Sequence, residues 1–126
     1  MQIAVQARGF SLTRALQEHV HQRLGFTLAR GSGRVRRVAV RLSDLNGPRG
    51  GIDKRCLVEV RLDGLPAVVV EDVQADMYAA IDRAAARAAR TVMRRLALNT
   101  ARRRPREAFL SRSDYALTSG RDFDQD

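Results

Sequence analysis

The amino-acid sequence predicts an α+β domain of order β-α-β-β-β-α, a four-stranded sheet with two helices packed on one face. Three observations predict it. Four segments alternate apolar and polar residues, as half-buried strands do. Two others repeat apolar residues every three or four positions, as amphipathic helices do. Only one side of each strand is apolar, so both helices must cover the same face.

In residues 2–8, Ile3, Val5 and Ala7 face one way and Gln2, Ala4, Gln6 and Arg8 the other, and Gly9 breaks the strand. Ser11 or Thr13 can cap a helix that runs to about Leu24, with Leu12, Leu16, Val20 and Leu24 on one side. Gly31-Ser32-Gly33 is a stop. Residues 35–43 form a second strand, with Val38, Val40 and Leu42 inward and Arg37 and Arg41 outward. Residues 46–51 are a loop by composition. A third strand follows over 55–62, with Cys56, Val58, Val60 and Leu62 inward. Asp63-Gly64 signals a hairpin into a fourth strand at about 66–71. Asp76 can cap the second helix, whose apolar stripe is Met77, Ile81, Ala84, Ala88 and Val92. Seven alanines between Ala79 and Ala89 favour helix and leave little bulk, so a neighbouring helix can approach closely.

After Leu98 the character changes. Arg102, Arg103, Arg104 and Arg106 surround Pro105, and the remainder is polar with three late aspartates. The chain therefore divides into a domain over 1–98 and a flexible, basic-then-acidic tail over 99–126. The full chain carries 23 basic and 14 acidic residues, a net charge of +9, and 17 of the basic against 9 of the acidic residues fall in the domain. That excess points to a polyanionic partner. A single cysteine, Cys56, excludes an internal disulfide and suits a reducing compartment. The N-terminus lacks the basic start and apolar stretch of a signal peptide, and no apolar run approaches the roughly 18 residues of a membrane span. The expected location is the cytoplasm, with no membrane partner.

On the second helix, Arg83, Arg87, Arg90 and Arg94 fall within a sector of about 60°, roughly 140° from the apolar stripe. Like charges one turn apart repel, and phosphates would relieve that repulsion. The planar arginine fork binds phosphate oxygens bidentately. An ordinary solvated helix face mixes signs, whereas this one has only Asp82 nearby. The first helix is mixed: Arg14, Gln17, Glu18, His21 and Gln22 lie on its polar side, while His19 and Arg23 fall in the apolar sector. His19 reads as a packing residue. His19 and His21, two apart, point to opposite sides and cannot jointly hold a metal. No serine sits in a nucleophile elbow, and an inward Cys56 is inert. The sequence thus predicts no enzyme, no metal, no cofactor and no small-molecule substrate. The Gly-rich loop lacks the Gly-Lys-Ser/Thr ending of a phosphate-binding loop and reads as a mobile basic loop. Arg49 within it and Lys54 just after it join the RNA-binding candidates. Aromatic residues are only 5%, which argues against base stacking as the main mode.

One segment is more specific. Glu71-Asp72-Val73-Gln74-Ala75-Asp76-Met77-Tyr78-Ala79-Ala80-Ile81-Asp82 resembles the start of the last helix in the ribosome hibernation-promoting factor family, which includes the ribosome-associated translation inhibitor and the sigma-54 modulation proteins. Asp76 to Asp82 is the most recognisable part. The opening Met1-Gln2-Ile3 and the helix start Leu12-Thr13-Arg14-Ala15-Leu16 fit as well, so the resemblance covers about residues 1–98. It implies the fold already derived and a binding function: attachment to ribosomal RNA in the decoding region of the small subunit, where messenger and transfer RNA pass, and arrest of translation in stress or stationary phase. It implies RNA contacts from Arg83, Arg87, Arg90, Arg94 and Arg95, with Arg14 and Arg23 on the first helix. The long family form adds a dimerising domain that this sequence does not contain, so a ribosome-dimerising domain of its own is not expected. His19 departs from the family pattern, where an apolar or aromatic residue is expected. Two alternatives remain beside this reading: a double-stranded RNA-binding module, whose α-β-β-β-α order overlaps, and a modulator of an alternative sigma factor. A double-stranded RNA reader usually has a basic helix N-terminus, and Met77-Tyr78-Ala79-Ala80 carries no positive charge.

Overall fold

A computed structural model describes residues 1–45 and 52–103, with side chains to residue 100. Strand β1 spans Gln2–Arg8 and is followed by helix α1, Arg14–Thr27. Strands β2 (Val35–Asp44), β3 (Lys54–Leu62) and β4 (Leu65–Gln74) come next, and helix α2 (Met77–Arg103) closes the order. The architecture is the α+β arrangement expected from the periodicity. The Gly-rich loop with Arg49, and the chain from residue 104 on, lie outside the described residues.

The sheet runs in the order β1-β2-β3-β4. β1 pairs parallel with β2, in register from Gln2↔Arg37 to Arg8↔Ser43, while β2-β3 and β3-β4 are antiparallel. Parallel neighbours need a crossover, which α1 supplies. β1 and β4 are the edges. In the turn between β3 and β4 Gly64 takes φ +68°, while Asp63 stays at negative φ. The turn therefore needs one left-handed residue rather than the two that a type I′ hairpin requires.

Register aligns every inward residue on one face. Val38 lies beside Val60, Val40 beside Val58 and Leu42 beside Cys56, with Val68 and Val70 continuing across β4. These side chains are buried together with Leu16, Val20 and Leu24 of α1 and Met77, Ile81, Ala84, Ala88 and Val92 of α2. Both helices therefore cover this face. Burying each Val or Leu here contributes about 1.5–3 kcal/mol, so the single layer is the main source of stability.

Local signals explain the helix ends. Thr13 Oγ1 accepts from Leu16 N at 3.1 Å, capping α1. The Gly31-Ser32-Gly33 stop falls in a 3-10 segment, Ala29–Arg34, rather than in an open loop. Gly31 is buried there, and a Cβ on it would lie 2.6 Å from Met93 Cε, so the segment presses directly on α2. Helix α2 also continues past Leu98 to Arg103, five residues into the expected tail.

Candidate nucleic-acid interface

The Asp76–Asp82 motif acts first as a folding device. The Asp76 carboxylate accepts from Ala79 N at 3.3 Å and caps α2, where a negative charge also suits the helix dipole. Met77, Ala80 and Ile81 are buried. The two remaining polar members face α1. His19 Nε2 lies 2.7 Å from Asp82 Oδ1, and its ring meets Tyr78 edge-on at 4.9 Å between centroids. Arg23 Nε approaches the same oxygen at 3.2 Å, close enough for an ion pair but not aligned for a hydrogen bond. His19 and Arg23 thus join the helices at a polar clasp. His19 is the half-buried packing residue expected. Arg23, expected to contact RNA, has its charge directed at Asp82.

Five buried alanines, Ala80, Ala84, Ala85, Ala88 and Ala89, let α2 lie close over the sheet and beside α1. Its arginine side consequently hangs over the outer strand β4. Arg83 and Arg87 both lie 3.6 Å from Asp72 Oδ2, and Arg87 Nη1 donates to the Glu71 carbonyl at 2.7 Å. Arg95 Nη1 donates to the carbonyls of Pro66 and Ala67 at 2.9 and 3.0 Å. These guanidiniums cover backbone acceptors along the sheet edge, which would otherwise template pairing with another chain. Arg83 and Arg87 still expose 65% and 48% of their side chains, so the outer side of each fork remains open to a phosphate. Arg90 and Arg94 continue the row, and each also interacts within the molecule.

The other expected contacts are scattered. The Arg14 side chain is 92% exposed on the outer side of α1 and, among the described residues, pairs with Glu18 at 3.6 Å. Lys54 is held between Asp53 at 3.1 Å and Asp44 at 3.2 Å, with Asp53 fully buried. The hydrogen bond with Asp53 leads in raising the Lys54 pKa above its ordinary value, against the lowering effect of burial. Its charge serves the fold. Cys56 is buried, and burial, followed by the nearby Asp72 charge, pushes its thiol up to about 12. It is no nucleophile at neutral pH. Among the described residues no three His, Cys, Asp or Glu side chains group as a metal site. No described helix is long and apolar enough to cross a membrane.

A further set of arginines lies outside the contacts expected from the sequence. Register places Arg8, Arg37, Arg41, Arg55 and Arg61 on the uncovered face of the sheet. Strand alternation alone points each of them outward. Their proximity depends on β1 lying beside β2, which a sequence pattern does not state.

A family model described as sigma 54 modulation protein / S30EA ribosomal protein matches residues 3–97. Among solved structures, a ribosomal subunit interface protein from Coxiella burnetii superposes with a TM-score of 0.67 at 16% identity, over 77% of this chain and 99% of that one. The N-terminal domain of Protein Y from Thermus thermophilus superposes with a TM-score of 0.59 at 29% identity, over 74% of this chain and 93% of that one. No curated protein sequence matches at a significant level.

Proposed function

The chain belongs to the sigma-54 modulation protein / S30EA ribosomal protein family, and from that premise we propose that it is a cytoplasmic ribosome hibernation factor. In this reading it binds ribosomal RNA in the decoding channel of the small subunit and halts translation in stress or stationary phase, without catalysis. The observation that carries it is the arginine row of α2: Arg83 and Arg87, with Arg90 and Arg94 one and two turns on, on a domain with a large positive excess. Arginine forks half exposed along one helix match a phosphate backbone better than any small ligand. Arg14 extends the basic surface on α1.

Double-stranded RNA reading is less well supported. The N-terminal turn of α2 carries no positive residue, and the Asp76 carboxylate already occupies the capping position where a phosphate would sit.

Sucrose-gradient sedimentation of a stationary-phase lysate tests the proposal. The protein is expected in the small-subunit or whole-ribosome fractions, and recovery only in the free fractions overturns it. Pelleting with purified small subunits adds the mechanism. Binding through phosphates releases counterions, so affinity should fall steeply as salt rises. A flat response removes the electrostatic argument.

A further inference from the structure

The face of the sheet turned away from the helices is not an ordinary solvated surface. Arg8, Arg41 and Arg55 line a cleft of about 640 Å³ with Gln6, Ser43 and Leu57, and its floor reaches the apolar Val5, Ala7, Leu42, Phe10 and Leu12. The register fixes their arrangement: Arg8 lies beside Ser43 and Ser43 beside Arg55, while Arg41 stands two residues back on β2 between Gln6 and Leu57. With strands about 4.8 Å apart, the three arginine stems stand within roughly 10 Å of one another. Arg55 is paired with Glu71. No ion pair or hydrogen bond engages Arg8 or Arg41 among the described residues. At the other end of the same face Arg37 stands directly opposite Arg61, a cross-strand pair of like charges that destabilises a sheet. Arg61 has Glu59 at 3.6 Å, while Arg37 has no such partner among the described residues. Between the two ends run Ala4, Ala39 and Val69, small side chains beside Glu59. The face therefore carries positive charge at both ends of a low, smooth middle.

We infer that this open sheet face is a second RNA-binding surface, which holds the sugar-phosphate backbone of an RNA segment distinct from the one met by α2. Charge selects the occupant: five arginines against Glu59 and Glu71 suit a polyanion. In the cleft Arg8 and Arg41 donate only, Gln6 and Ser43 can donate through their NH2 and O–H, and phosphate oxygens are acceptors. The strand positions of this face carry no aromatic side chain among the described residues, and Phe10 is the one aromatic residue lining the cleft, so backbone contacts through the arginines dominate over base stacking. The inference extends the proposed function: a domain with RNA on both faces would clamp two segments rather than lie on one.

Arg8 and Arg41 are exposed, so Arg8→Gln with Arg41→Gln should preserve the fold, checked by circular dichroism and melting. Binding of the full chain to purified small subunits is then titrated against salt. Each lost phosphate contact lowers the log-log salt slope by about one. The double variant should lose about two from the slope and at least tenfold in affinity at low salt. A folded variant with unchanged affinity and slope overturns the inference while leaving the proposed function standing. Failure of the unaltered chain to bind ribosomes marks failure of that function instead. In that case a fluorescent RNA duplex replaces the subunits, with the same loss expected of the double variant and an unchanged titration overturning the inference. A photo-crosslinking residue at Leu57 identifies the occupant: RNA adducts support the inference, and adducts to ribosomal protein alone overturn it.

Discussion

The two faces of the sheet carry arginines of the same chemistry in different circumstances. On the helix-covered side Arg83 and Arg87 share Asp72, Arg95 holds two carbonyls of β4, and Arg23 is engaged with Asp82. On the open side Arg8, Arg37 and Arg41 meet no hydrogen-bonding or ionic partner among the described residues. The difference teaches that a row of charges seen in sequence is not the same as available charge. An arginine paired inside the fold must give up, or share, its partner before it can serve a phosphate. An unpaired one loses only water.

The largest expected effect tests how dry the covered face is. Cys56 titrates near 9 when unfolded and about 12 when folded. Its raised folded value means that the unfolded chain ionises first as pH rises. Stability contributed by the neutral thiol is complete below about pH 9 and is lost progressively between 9 and 12, by up to about 4 kcal/mol. Lys54, also raised, adds a loss of the same sign as pH climbs above 10.5. Melting temperatures from pH 8 to 10.5 should therefore fall, and less steeply in Cys56→Ala. Equal slopes would mean that water reaches the covered face.

Next comes the helix row itself. Arg87→Glu with Arg90→Glu should weaken ribosome binding about 100-fold, two charge-assisted contacts at roughly 1.5 kcal/mol each. The sequence suggests two plain surface sites. The structure adds that a glutamate at 87 would face Asp72, so stability should also drop, by about 1–2 kcal/mol. A folded double variant that still pellets with ribosomes would reduce the row to edge cover.

Asp72→Asn sharpens the comparison from the other side. It removes the shared carboxylate from Arg83 and Arg87 and should cost about 1–2 kcal/mol of stability. Ribosome affinity should rise, because two guanidiniums lose an internal competitor. Weakened binding by a folded variant would show that Asp72 positions the arginines rather than occupying them. The smallest effects separate the row's members. Arg95→Ala should cost about 1 kcal/mol in chemical denaturation, since two carbonyls lose their donor. Arg83→Ala, 65% exposed with its carboxylate 3.6 Å away, should stay within about 0.5 kcal/mol. Reversal of that order would mean the edge contacts are incidental.

Much of this molecule is legible in the chain alone. Alternation and four-residue spacing place all four strands and both helices, and the inward residues from Val38 to Val92 are those buried. The reason is that periodicity is a local property: each apolar residue declares its side within one element. The Asp76 cap and the arginine row on α2 are equally local. What tertiary structure decided is which elements lie side by side. It set β1 parallel against β2, and so brought Arg8 to Arg41 and Arg55. It laid α2 along β4, and so turned Arg87 and Arg95 toward backbone carbonyls. It placed Lys54 between Asp44 and Asp53, and Arg23 beside Asp82. A side chain's direction follows from its own backbone, but the charge it meets belongs to a distant part of the chain, and only packing brings the two together.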